Sequence, residues 1–312
     1  MALKDILNTF KREGGNNPDE QYMLPKLDRY LLALNGNRMI DKPENRAENC
    51  WHPSSLSTVK CLRFLTYLWL KTDPSNPSRV NEKGRLIFDV GHHVGYMFQQ
   101  YFWDMGILEG KYHCVYCKHE WWAVSPKECP SCSRPLEIWY DLHYLEVPIQ
   151  NKEKNVIGHS DGCLMLGGTP LNPKRRMLEF KTIKNRDFNT PATTLTFDEL
   201  IQVKMEHAFQ GQLYLDSDTF RELQCKQGSV IYLAKNSQEK KEFVITSMPE
   251  LVQPMYDKIT IVEDALVNGY LPDRISNDKT CVDCKWCPMK DYCHDTSHTF
   301  EDADRRPKGG GV

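Results

Sequence analysis

Three side chains in one short stretch have the types and spacing for chemistry. Asp161 ends the run Gly158-His159-Ser160-Asp161, and Glu179 and Lys181 lie in Leu178-Glu179-Phe180-Lys181-Thr182. Asp161 falls at a predicted strand start and hairpin, and Glu179 and Lys181 fall in the strand that follows. Side chains alternate faces along a strand, so Glu179 and Lys181 share a face while Leu178 and Phe180 turn to the core. Two carboxylates and one lysine on one side of a hairpin make a small magnesium site, because magnesium takes one or two carboxylates and keeps several waters. The lysine then positions a metal-activated water or offsets charge developing on a phosphate. A Glu-x-Lys pair alone also suits a solvated strand face, since 26% of the residues are charged. The hairpin before it and the helix after it give it weight.

That helix is predicted over Phe197–Asp216, starting after Thr196. It places His207, Gln210 and Tyr214 on one face at i, i+3 and i+7. Polar groups at core-facing spacing suit a site better than plain packing. Upstream, Ser54-Ser55-Leu56-Ser57 is a helix start, and the apolar period continues through Cys61, Leu62, Phe64, Leu65, Leu68 and Trp69. A second amphipathic helix covers Leu86–Trp103 and carries His92 and His93, and a short one is predicted at Tyr30–Leu34. Alternation predicts a strand within Leu136–Ile149, with Leu142, Tyr144 and Glu146 on one side. Glu146 is either a further carboxylate for the site or an exposed strand residue. Ser229–Ala234 and Glu242–Thr246 read as strands, with Lys235 at the turn, either within reach of a phosphate or simply exposed. Met255–Val267 reads as a final helix. The order is helix, three strands, helix, strand pair.

Eight of the twelve cysteines fall in two clusters built on Cys-x-x-Cys, a usage that favours metal over disulfides in a chain without secretory signals. Cys114 and Cys117 are separated by eleven residues from Cys129 and Cys132. Such paired knuckles match a zinc ribbon, a closed structural site, with iron–sulfur or a redox dithiol as the alternatives. His113 and His119 are extra donors nearby. Lys111, Lys118, Lys127 and Arg134 with Tyr116, Trp121 and Trp122 form either a face for phosphates and stacked bases or the module's own core and rim. The second cluster is Cys281, Cys284, Cys287 and Cys293, whose spacing admits four local ligands around zinc or iron–sulfur. Cys50 reads as a buried thiol.

A length of 312 residues and 40% hydrophobic content allow one large domain or two modest ones. The net charge of −2 excludes a global basic field, so any nucleic acid must be met by local patches. No signal peptide is visible, and no apolar run approaches the roughly 20 residues a membrane helix needs. The expectation is a soluble, intracellular protein.

Asp161, Glu179-x-Lys181 and Gln210-x-x-x-Tyr214 together resemble the PD-(D/E)XK nuclease superfamily. The resemblance is closest to its RecB-like branch of CRISPR-adaptation and phage exonucleases, and it runs from about Ser54 to Cys293. It implies an α/β restriction-endonuclease-like core, αβββαβ, with an inserted zinc ribbon and a C-terminal cysteine cluster. The expected organisation is an N-terminal extension (1–50), N-terminal nuclease helices (51–110), the ribbon (111–135), the nuclease core (136–270), the cysteine cluster (271–297) and a disordered tail (298–312). Asp161 and Glu179 would hold magnesium or manganese, Lys181 would orient the attacking water, and Gln210 and Tyr214 would position the scissile phosphate. The family's helical histidine, four places after a glycine, would fall on Gly95 counted from Gly91, so either His92 or His93 substitutes for it or the role is absent here. Cys61 matches the family's N-terminal cysteine and Cys284, Cys287 and Cys293 its C-terminal three. Together they imply a [4Fe-4S] cluster and leave Cys281 surplus. The implied activity is a metal-dependent DNA exonuclease in recombination, repair or phage DNA processing, in the cytoplasm of the cell or viral host. Its partners would be DNA ends and recombination or replication proteins. A structure-selective endonuclease with the same site, or a non-catalytic nucleic-acid-binding zinc and iron–sulfur module, are the other classes.

Overall fold

The structure, a computed structural model, describes residues 27, 49–72, 82–169, 172–183, 194–195, 197–295 and 297–305. The helix expected at Tyr30–Leu34 lies outside the described residues. Residues 1–48 with 77–93 form one compact unit, and residues 49–76 with 94–312 form another. Of the first, Leu27 and residues 82–93 are described, all helical.

Helix α1 (Pro53–Thr58) opens with proline at its first turn, where the missing N–H costs nothing. It ends at Val59, which is extended. The Lys258 ammonium donates to the carbonyls of Leu56 at 2.8 Å and Val59 at 3.0 Å, satisfying the helix end. The apolar pattern therefore does not run on as the single helix expected through Cys61. A second helix, α2 (Leu62–Trp69), starts after an extended Cys61. Helix α3 (Glu82–Asp104) covers the second predicted stretch.

Among the described residues there are ten strands: β1 (Leu108–Cys114), β2 (Glu120–Val124), β3 (Leu142–Leu145), β4 (Val147–Asn151), β5 (Val156–Ser160), β6 (Gly162–Thr169), β7 (Asn172–Ile183), β8 (Thr194–Leu195), β9 (Gln227–Ala234) and β10 (Lys240–Thr246). The main sheet is mixed, in the order β2-β1-β6-β7-β9-β10-β8, with β3 also paired to β1. β1, β6 and β7 are antiparallel neighbours. β9 lies parallel to β7, which requires a crossover. Helix α4 (Phe197–Leu215) lies in that connection, with a kink at Lys204.

The strand expected within Leu136–Ile149 is instead two strands in two sheets, since β3 pairs with β1 and β4 pairs with β5. The reason is a change of phase. Leu142 and Tyr144 are buried, then Val147 and Ile149, so the buried side shifts by one residue at Glu146. The third strand of the antiparallel trio is therefore β1, which runs directly into the first ribbon cysteine.

Two cores flank the sheet. Met177, Val230, Tyr232 and Ile245 pack with Ala208 and Tyr214 of α4. On the other side, Leu178 and Phe180 meet Leu108, Tyr112, Leu142 and Trp103 of α3. Gly211 and Gly228 bring α4 close to the sheet: a Cβ on Gly211 would come within 2.5 Å of Ile245 Cδ1, and one on Gly228 within 2.6 Å of Met177 Cε. A helical core joins α1, α2 and α6 (Gln253–Asn268). The short helices α5 (Asp218–Glu222), α7 (Val282–Lys285), α8 (Lys290–His294) and α9 (Phe300–Ala303) complete the described elements.

Within the tail expected to be disordered from residue 298, residues 298–305 are described and include helix α9. Thr299 and Asp302 form a reciprocal capping box on α9. Ala303 is buried, Thr72 Oγ1 donates to its carbonyl at 2.6 Å, and Arg305 N donates to Leu70 O at 3.0 Å.

Candidate active site

Asp161 sits at the corner where the chain leaves the β4–β5 pair and enters the main sheet as β6. The sequence predicts a strand start and hairpin there: β6 starts at Gly162, the hairpin is β6–β7, and Asp161 stands at its base. There its Oδ2 accepts the backbone N–H of Phe180 at 2.5 Å. Gly162 pairs in register with Leu178, which fixes Asp161 beside Glu179 of β7. The Asp161 carbonyl is held from α3, where Gln99 Nε2 donates to it at 2.7 Å.

Glu179 is buried, at 4% exposure. Its Oε1 accepts from Lys181 Nζ, two residues along the same strand face, and from Gln210 Nε2 of α4 at 3.1 Å. The Gln210 amide also donates to Tyr214 Oη at 2.5 Å, one helical turn away. Five of the residues singled out from spacing thus lie in one place, carried by a strand corner, a strand and a helix. His92 lies in the α3 segment belonging to the other compact unit. Gln99, two helical turns beyond it, was not singled out. A signal existed: it is a glutamine in phase with the buried stripe of an amphipathic helix, at 2% exposure. Glu146 is exposed at the point where β3 gives way to β4. Its charge reaches Asp161.

Burial sets the electrostatics. It pushes the Glu179 carboxyl up to about 7, assisted by the charge of Asp161 and opposed by Lys181. It pushes Asp161 up to about 6, assisted by Glu146 and opposed by Lys181 and the Phe180 N–H. Burial alone would lower Lys181, but the carboxylates of Glu179 and Asp161 outweigh it and hold the ammonium above its usual range. The pocket is therefore short of positive charge. Among the described residues, no hydrogen bond reaches Asp161 Oδ1 or Glu179 Oε2. Hard oxygen donors with free lone pairs and surplus negative charge fit a divalent cation of the magnesium or manganese kind.

The ribbon cysteines form a second centre. Cys114 ends β1, and Cys114, Cys117, Cys129 and Cys132 have their sulfurs all within 4.8 Å of one another. Cys114 Sγ is 3.9 Å from Cys132 Sγ and Cys117 Sγ is 3.6 Å from Cys129 Sγ. A tetrahedral ion with metal–sulfur bonds of about 2.3 Å spaces its thiolates by roughly 3.8 Å, so one zinc fits. The two knuckles are built alike: Lys118 N donates to Cys114 O at 3.0 Å and Ser133 N to Cys129 O at 2.9 Å. Lys118 and Ser133 both take positive φ, 62° and 53°. His113 and His119 stay outside this set: one faces Glu120 at 3.4 Å, the other stacks on Trp121. Much of the basic and aromatic face is engaged within the module itself. Lys111 pairs with Glu120, Arg134 lies over the Tyr116 ring, Tyr116 Oη donates to Asp141, and Lys127 lies 3.0 Å from the Trp103 ring centroid.

Cys61, Cys284, Cys287 and Cys293 line one cavity of about 460 Å³ with Tyr67, Met289 and His294. No three of these sulfurs come within the 4.8 Å spacing seen in the ribbon. Cys281 has another task, its Sγ capping α7 by accepting from Cys284 N at 3.4 Å.

No family model matches the chain, and no curated protein matches it. Among solved structures it is similar to the crystal structure of SSO0001, at 13% identity and a TM-score of 0.40, over 85% of this chain and 95% of that one. It is also similar to LHK-Exo in complex with dAMP, at 11% identity and a TM-score of 0.35, over 70% of this chain and 88% of that one. Likenesses of this order carry no weight for function. None of the described helices is long and apolar enough to cross a membrane.

Proposed function

We propose that this chain is a magnesium- or manganese-dependent DNA exonuclease with a PD-(D/E)XK core of the RecB-like kind. One observation carries the reading: Asp161, Glu179, Lys181, Gln210 and Tyr214, far apart in sequence, meet in a buried, hydrogen-bonded group that keeps two carboxylate oxygens free. The run α3, β1, β6, β7, α4, β9 has the order helix, three antiparallel strands, helix, parallel strand, which agrees with an αβββαβ core.

Asp161 and Glu179 would hold the ion. Bound there, it would acidify a water and polarise the scissile phosphate. Lys181 keeps a full charge beside the carboxylates and orients the attacking water. Gln210 and Tyr214 fix the rotamer of Glu179 and place the phosphate against it, while His92 is proposed as the helper histidine of α3. Cys114, Cys117, Cys129 and Cys132 would hold structural zinc. Cys61, Cys284, Cys287 and Cys293 would hold a [4Fe-4S] cluster that ties the chain together. The partners are DNA ends and recombination or replication proteins, in the cytoplasm of a cell or viral host.

The test is incubation of purified protein with DNA labelled at either end, single- or double-stranded, with magnesium or manganese. Release of label from linear DNA while closed circles stay intact is the expected result. Cutting of circles would make it an endonuclease, and binding without cutting would leave only a nucleic-acid-binding module.

A further inference from the structure

One turn before Gln210, α4 carries His207, which the proposed chemistry does not yet use. Its Nδ1 is in hydrogen-bond contact with the hydroxyl of Tyr232, and the two rings lie 5.7 Å apart. Tyr232 is the β9 residue paired in register with Lys181 of β7. His207 therefore stands beside the lysine of the site, on the helix face that carries Gln210.

The direction of that hydrogen bond follows from burial. Tyr232 is 2% exposed, and among the described residues its O–H reaches no acceptor other than His207 Nδ1. A buried O–H left without an acceptor is costly, so Tyr232 donates and Nδ1 accepts. Burial, with the charges of Lys181 and Lys204, pushes the imidazole down to about 3, so the ring is neutral. A neutral ring that accepts at Nδ1 carries its proton on Nε2. No described residue accepts from that Nε2–H, and His207 is only half-buried. Tyr232 thus leaves an oriented, uncharged donor beside Lys181. Such a donor engages an anion without repelling either the lysine or a bound cation.

We infer that His207 is a phosphate-positioning residue, its Nε2–H donating to a nonbridging oxygen of the bound DNA strand while Tyr232 holds the proton on that nitrogen. The inference rests on the nuclease reading and adds a contact to it.

The test compares three variants of the full chain in single-turnover cleavage of end-labelled linear DNA with magnesium, with DNA affinity measured in calcium. His207→Gln keeps an N–H near the Nε2 position and should stay within about fivefold of wild type. His207→Asn keeps only an acceptor for Tyr232 and should be about 10²-fold slower, as should His207→Phe, the usual cost of one lost donor to a developing charge. DNA affinity should change by no more than about threefold, since many other phosphate contacts remain. Nitrogen-15 spectra of the histidines should place the wild-type proton on Nε2, and Tyr232→Phe should give a mixture of tautomers. An Asn variant as fast as wild type, a Gln variant as slow as Phe, or a proton on Nδ1 would each overturn the role. Wild-type protein that cleaves no DNA would overturn the nuclease reading and this role with it. Cleavage by wild type and His207→Phe at equal rates would remove the role alone.

Discussion

Glu179 and Asp161 share one ammonium, that of Lys181, in a place where both carboxylates are buried. Removing either oxygen ligand set should end catalysis: Asp161→Ala and Glu179→Ala are expected to lose metal-dependent cleavage while keeping wild-type circular dichroism. Full cleavage by Asp161→Ala would be incompatible with the site. Lys181→Ala should slow the chemical step by about 10²-fold with little change in DNA affinity, because its contribution belongs to the transition state. The raised carboxyls also predict a pH dependence. The folded protein holds protons at about 6 and about 7 where the unfolded chain holds them near 3.8 and 4.5. The folded state is therefore the better proton binder across that window. The stability this gives the metal-free protein is full below about 4 and lost as pH rises through about 7. Thermal melts in chelator between pH 4 and pH 8 should show that decline, and Glu179→Gln should flatten it. Metal competes with the same protons, so magnesium should raise the melting temperature more at pH 8 than at pH 5.5.

The ribbon is less separable as an element than its compact spacing suggests. Cys114 belongs to β1, a strand of the main sheet, and β1 pairs with β2, β3 and β6 at once. Cys129, Leu136 and Ile138 share a core with Leu108, Tyr112 and Leu178, the neighbour of Glu179. Loss of the ribbon metal should therefore be felt in the sheet that carries the site. Elemental analysis should find one zinc per chain at these cysteines. Cys129→Ser should lower the melting temperature by several degrees and slow cleavage together, since the free energy of binding a structural zinc is also folding free energy. A Cys129→Ser protein with unchanged melting and activity would show the ribbon to be an appendage.

At the scale of the second unit, residues 62–72 meet residues 271–305. Arg63 Nε donates to Pro272 O at 2.7 Å and Arg274 Nε donates to Cys293 O at 2.8 Å. Tyr67 and Leu70 of the α2 region share a core with Met289 and Ala303. The cavity between these segments presents Cys61 from one side and Cys284, Cys287 and Cys293 from the other. A cluster bridging them would close a long loop, worth a few kcal/mol by analogy with a disulfide. Anaerobically purified protein should be brown, with broad absorbance near 400 nm, roughly where thiolate-to-iron charge transfer falls. Cys61→Ser should bleach it and reduce its stability, whereas Cys281→Ser should leave the colour, because that residue does not line the cavity. The reverse pattern would assign four local ligands, and a colourless protein with two zincs would dismiss iron.

Local chemistry was legible in the sequence. Alternation along β7 put Glu179 and Lys181 on one face, helical spacing put His207, Gln210 and Tyr214 on another, and Cys-x-x-Cys pairs marked the ribbon, because each of these depends only on the repeat of its own element. Which elements come together was not legible in that periodicity; only the family resemblance implied that Asp161, Glu179, Lys181, Gln210 and Tyr214 share a site. The break of the first helix at Val59 depends on Lys258, about two hundred positions away, satisfying the freed carbonyls. The choice of β1 as the third antiparallel strand depends on a one-residue phase change at Glu146 that moves the chain into another sheet. The part of Gln99 depends on α3 lying against the Asp161 corner. The tie between His207 and Tyr232 depends on β9 pairing parallel to β7 across the α4 crossover. Periodicity is written in neighbouring residues. Burial, charge and hydrogen-bond partners are set by which surfaces meet in space, and only the tertiary structure decides that.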